Sequence, residues 1–148
     1  MLVRADALRQ EALSLAERDA LAFGEVIAAY RLPKQTDEAK RARTAAIQEA
    51  LVGAAEVPLR IAAVAAEVIG LAHRILDGAN VNVLSDVAVA ASSAQAALTA
   101  AVVNVEVNVA ALHDTGQRSA LAAALASHAD ASAEAEAIIH SVRERIRR

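Results

Sequence analysis

The chain has 148 residues and a net charge of −3, and it is 56% hydrophobic with a single Phe (Phe23), a single Tyr (Tyr30), no Trp and no Cys. That length suits one domain with a hydrophobic core of its own. Without cysteine there are no disulfides, no thiolate catalysis and no cysteine metal site. With no positive field and almost no aromatic rings, nothing favours nucleic acid as a partner.

Residues 3–30 read as one helix, with Leu8, Leu15 and Ala22 on an apolar stripe and Arg9, Glu11, Glu17 and Arg18 elsewhere. Arg4, Asp6, Arg9 and Glu11 interrupt any signal-peptide pattern, so a cytoplasmic protein is expected. Leu32-Pro33 ends this helix, because the residue before a proline is driven out of the α region. Thr36 or Asp37 is placed to cap a second helix, whose positive end suits Asp37 and Glu38. That helix reaches about Glu56, where Pro58 either starts a new helix or kinks a longer one. Asp77-Gly78 stops the segment that ends near Leu76.

A loop and cap over 79–85 leads into a long apolar helix, about Val83 to Leu112. It has no charge from Val87 to Val105, but Ser92, Ser93, Gln95, Thr99 and Asn104 make it a buried helix of a soluble protein rather than a membrane span. Within it, Val103 to Val109 alternates valine with polar residues, the pattern of a half-exposed strand. No other segment reads as a strand that could pair with it, so helix is expected. Asn104 and Asn108 then share a face at i, i+4, with Glu106 turned away. His113-Asp114-Thr115-Gly116 is the next break, and a last helix over about 117–146 ends in Arg143, Arg145, Arg147 and Arg148. These arginines suit a solvated helix C-terminus. The pattern predicts an all-α bundle of about five helices in one domain over 1–148, with a long buried central helix. Alanine buries little area, so a second subunit is expected to complete the packing.

The four asparagines fall in two clusters, Asn80 with Asn82 and Asn104 with Asn108. Each amide needs partners for two donors and an acceptor oxygen, and a buried one left unpaired costs about 1–3 kcal/mol. Asn82 or Ser85 serves as an ordinary helix cap, with Asp86 in the first turn; the same residues also suit a ligand site at a helix N-terminus. Asn104 and Asn108 either bond across a helix interface or line that site. Tyr30, at a helix end, and Lys34, in the following turn, are further candidates for ligand contact. None of His73, His113, His128 and His140 has a histidine partner at helical spacing, so no metal site is expected. No glycine-rich phosphate loop or nucleophile elbow is present either.

Taken in order, Asp19-Ala20-Leu21-Ala22-Phe23, Ala29-Tyr30-Arg31-Leu32-Pro33-Lys34, Arg43 with Ala46 to Leu51, Val57-Pro58-Leu59, Asn80 to Asp86 and Asn104 to Asn108 resemble the cyclodeaminase/cyclohydrolase family of one-carbon metabolism. The resemblance implies an all-helical homodimer that binds a tetrahydrofolate derivative near the subunit interface, with no cofactor beyond that substrate and no nucleic acid or membrane partner. Two departures are visible: a proline- and glycine-rich segment that opens relatives is not found before Met1, and Ala79 stands where relatives often carry glycine. The implied activity is hydrolysis of 5,10-methenyltetrahydrofolate to the 10-formyl compound. Formiminotetrahydrofolate cyclodeaminase and a non-catalytic helical dimer are the alternatives. Asp86 is the expected catalytic carboxylate. Tyr30, Lys34, Asn80, Asn82, Ser85, Asn104 and Asn108 are the expected binding residues, with the two asparagine clusters as halves of one pocket. A bundle unrelated to this family is instead expected to hold Asn80 and Asn108 far apart.

Overall fold

The structure, a computed structural model, describes residues 1–147; Arg148, the last arginine of the basic tail, lies outside the described residues. Five α-helices follow one another: α1 (Leu2–Tyr30), α2 (Asp37–Leu76), α3 (Leu84–Ala110), α4 (Thr115–Ala126) and α5 (Ala131–Ile146), with one 3-10 turn at Val81–Val83. There is no strand among the described residues. The valine alternation at Val103–Val109 is helical, as expected, because α3 supplies its backbone partners locally and the described residues hold no strand to pair with it.

Several boundaries fall where local chemistry puts them. α1 stops at Tyr30, two residues short of Leu32-Pro33, and the Arg43 guanidinium donates to the Tyr30 carbonyl from Nε and Nη2, at 3.2 and 3.1 Å. Thr36 caps α2 through Oγ1, which accepts from the Ala39 N–H at 3.1 Å. Asp114 caps α4 in the same way through the Gln117 N–H. At the other end of α2, Arg145 Nη1 donates to the Leu76 carbonyl at 2.6 Å and pairs with Asp77. Part of the basic tail thus caps a different helix rather than its own.

One feature differs from what the sequence alone suggests, and one alternative that the sequence leaves open is decided. The segment expected as a single helix over 117–146 is split in two, because the Ser127 hydroxyl donates to the Ala124 carbonyl at 2.6 Å and the chain turns through Ser127–Asp130 before α5. Pro58 neither starts nor ends a helix; α2 runs through it as a single 40-residue element. Proline has no N–H, so the carbonyl of Ala54, four residues earlier, loses its helical donor. Asn108 of α3 supplies the replacement: its Nδ2 donates to the Ala54 carbonyl at 2.9 Å.

α2 is the axis of the bundle, packing against α1, α3, α4 and α5. The largest core cluster joins α2 (Ala62, Ala65, Ile69, Ala72), α3 (Leu84, Val87, Ala91, Ala94, Leu98) and α5 (Ala135, Ile138, Val142). Small residues at these contacts let the helix axes approach closely. α3 buries this one stripe only. Its opposite face carries Ser92, Ser93, Ala96 and Ala100 together with Val89, Val103 and Val107, which are 63%, 52% and 63% exposed. A second cluster joins α1 (Leu8, Leu15, Ala22) to α2 (Val57, Val64, Leu71). α1 and α3 therefore both lie on α2, with a groove between them.

Candidate functional site

The groove between α1 and α3 has a chemically distinct cavity at each end. At one end, about 500 Å³ is enclosed by the early part of α1 (Leu8, Arg9, Ala12), the late part of α2 (Val68, Leu71, Ile75) and the start of α3 (Val83, Asp86, Val87). Its walls are largely apolar, and among the described residues the charged ones that line it are Arg9 and Asp86. At the other end, about 150 Å³ is lined by Asp19, Ala22, Phe23 and Val26 of α1, Ala54 of α2, and Asn104 and Asn108 of α3. α1 and α3 thus run parallel to each other and antiparallel to α2.

Asp86 lies in the first turn of α3, exposed, where a carboxylate suits the helix dipole. The cap ahead of it is neither Asn82 nor Ser85. Asn80 caps the 3-10 turn, its Oδ1 accepting from the Asn82 N–H at 3.0 Å, and α3 begins after Val83 without a side-chain cap. Asn80, Asn82 and Ser85 are all exposed around this entrance.

The two asparagine clusters do not form halves of one pocket within a single chain. Eighteen residues of continuous helix separate Asp86 from Asn104, and at about 1.5 Å per residue that is roughly 27 Å. A straight helix cannot fold back on itself, so sequence proximity to one helix did not imply spatial proximity. Asn80 and Asn108 are accordingly at opposite ends of the bundle, the separation expected of an unrelated bundle, so their spacing within one chain does not distinguish such a bundle from a family member. Tyr30 and Lys34 belong to the Asn104–Asn108 end. Tyr30 is half exposed beneath the Arg43 guanidinium, whose carbon is 5.5 Å from the ring centroid, and Lys34 is exposed in the loop after α1.

Asn108 is committed on one side. Its Nδ2 donates to the carbonyls of Ala54 and Asn104, both at 2.9 Å, so its Oδ1 is left without a protein donor. Among the described residues the Asn104 side chain has no hydrogen-bond partner. The carboxylate that shares this cavity is Asp19, half-buried and in no ion pair among the described residues. Asp19 was not among the binding residues expected from sequence. From sequence Phe23, one turn after Asp19, reads as a core anchor; the fold instead leaves it 65% exposed beside this cavity.

The wall of the groove is held by two ion pairs between α1 and α2, Arg4–Glu67 and Glu11–Arg60. The hydrogen bond from Arg60 holds the Glu11 carboxyl below its ordinary value of 4.5, and that from Arg4 does the same for Glu67. Among the described residues, no group of His, Asp and Glu side chains could hold a metal ion.

This architecture defines an all-helical domain whose polar residues line an inter-helical groove rather than a loop-built active site. Residues 1–127 match the family model described as formiminotransferase-cyclodeaminase. The chain is 46% identical over 114 residues to the methenyltetrahydrofolate cyclohydrolase of Methylorubrum extorquens, covering 77% of this chain and 55% of that protein. It is 35% identical over 96 residues to the formimidoyltransferase-cyclodeaminase of Rattus norvegicus, covering 65% of this chain and 18% of that protein. The fold is similar to the crystal structure of a formiminotetrahydrofolate cyclodeaminase from Thermotoga maritima, with a TM-score of 0.76 and 24% identity over 96% of this chain and 65% of that one. The chain belongs to the formiminotransferase-cyclodeaminase family. It spans about half the length of its bacterial cyclohydrolase relative.

Proposed function

We propose that this chain acts on a tetrahydrofolate derivative and catalyses hydrolysis of 5,10-methenyltetrahydrofolate to 10-formyltetrahydrofolate. The observation that carries this reading is the 46% identity to a methenyltetrahydrofolate cyclohydrolase, against 34–36% to the formimidoyltransferase-cyclodeaminases. The substrate is a cation delocalised over N5, the bridging carbon and N10. Water adds to that carbon and gives one proton to Asp86, and the resulting hydroxyl proton moves to N5 as the N5–carbon bond breaks. The formyl group stays on N10, and one proton is released overall. A carboxylate at the cavity edge both stabilises the cation and accepts the proton.

The separation of Asp86 from the paired asparagines supports a homodimer as the working unit. The free face of α3 is uncharged from Val87 to Val105 and partly apolar, the character of an interface. Two copies of α3 crossing antiparallel about a two-fold axis near Ala97 bring one copy's Asp86 level with the other copy's Asn108, since each lies eleven residues from Ala97. One ligand then meets groups from both ends of the groove.

The test is loss of the methenyl chromophore with purified protein against buffer, in the chain and in Asp86→Asn. The variant is expected to lose about 100-fold or more in kcat, the scale of general acid–base assistance. Full turnover in Asp86→Asn removes that residue from the mechanism, and no acceleration by the unaltered chain refutes the enzyme. The family match also supports a second reaction, closure of a formimino group with release of ammonia. Ammonia formed from 5-formiminotetrahydrofolate distinguishes it.

A further inference from the structure

We infer that Asp19 is a substrate-recognition residue, and that with Asn104 and Asn108 it holds the pyrimidine edge of the pterin ring. The inference rests on the folate reading above and assigns a part of the ligand to one cavity. The cavity, about 150 Å³, is smaller than the roughly 300–1,000 Å³ of a pocket that takes a whole drug-sized ligand. It has room for one flat heteroaromatic system. Its polar lining is rich in acceptors: two carboxylate oxygens on Asp19 and the free Oδ1 of Asn108, with the uncommitted Asn104 amide beside them.

The orientation of Asn108 follows from chemistry. Both of its protein partners are carbonyls, so its NH₂ must face them and its oxygen must face away. A group complementary to this lining presents parallel N–H donors and a flat surface. The 2-amino and N3–H donors of a 2-amino-4-oxopteridine are such a pair, spaced to meet both oxygens of one carboxylate. Phe23 lines the same cavity and is 65% exposed, so its ring is open to stacking with a flat ligand. The cationic bridge of the substrate has no N–H on N5 or N10, so the donor-seeking lining selects the pyrimidine edge and leaves the bridge to the Asp86 of the second copy in the proposed dimer.

The test compares binding of folate with 2-desamino-2-methylfolate, which lacks the 2-amino donor, by calorimetry on the whole chain. The unaltered chain is expected to prefer folate at least about tenfold, the scale of one hydrogen bond to a charged group. In Asp19→Asn the preference is expected to disappear while the helical signal and unfolding midpoint stay unchanged. Turnover is expected to show a raised KM with kcat largely kept, the opposite of Asp86→Asn. Asn104→Ala, which removes a side chain with no internal partner, is expected to weaken folate binding without loss of fold. Equal affinity of the unaltered chain for the two ligands overturns the inference, as does full discrimination in Asp19→Asn. Absence of binding to either ligand overturns the folate reading together with the assignment.

Discussion

The bond from Asn108 to the Ala54 carbonyl makes a quantitative prediction about how α2 tolerates its proline. Pro58 is almost fully buried and Ala54 is 8% exposed, so the carbonyl orphaned by the proline has little access to water. Asn108→Ala leaves that acceptor unpaired, which costs about 1–3 kcal/mol. For a chain of this size that lowers the thermal midpoint by roughly 2–4 °C per kcal/mol. The same substitution in a Pro58→Ala background costs much less, because the N–H of residue 58 then donates to Ala54 along the helix. The expected coupling energy in the double-mutant cycle is about 1–2 kcal/mol, read by urea unfolding followed by circular dichroism. The cycle cancels the separate effect of Pro58→Ala on helix propensity and packing. Additive losses, with coupling below about 0.5 kcal/mol, would refute the account of Asn108 as the partner of the orphaned carbonyl.

The Arg4–Glu67 and Glu11–Arg60 pairs set an acid limit on the α1–α2 contact. Both carboxyls have folded values depressed below 4.5, so their contribution is complete above that pH and is lost as pH falls through the folded values. The Glu11→Gln, Glu67→Gln double variant is expected to show a shallower loss of stability below pH 4.5 than the unaltered chain, in unfolding midpoints measured across acid pH at low salt. An unchanged slope would show that these pairs do not govern the acid transition. Ala96→Arg, on the free face of α3, is expected to keep the monomer folded and turn a dimer into a monomer by sedimentation velocity. If the unaltered chain sediments as a dimer and the variant does too, the subunit interface lies elsewhere; an unaltered chain that sediments as a monomer refutes the dimer.

Much of this fold was legible from neighbours along the chain. Leu32-Pro33 and Thr36 set the end of α1 and the start of α2 because sterics before proline and a hydroxyl one turn ahead of an N–H act within a few residues. The ordered motifs from Asp19 to Asn108 indicated the family for the same reason, and the helical reading of Val103–Val109 followed from the lack of any strand to pair with. Tertiary structure decided what depends on contacts between distant segments. α2 continues through Pro58, and the Ala54 carbonyl that the proline orphans is met by an amide 54 positions further along the chain. The division of labour in the groove turned on helix direction. Parallel α1 and α3 set Asp19 beside Asn104 and Asn108, while the length of a rigid helix held Asp86 far from all three. Local sequence specifies which residues are polar and helical; which of them meet is fixed only when the helices pack.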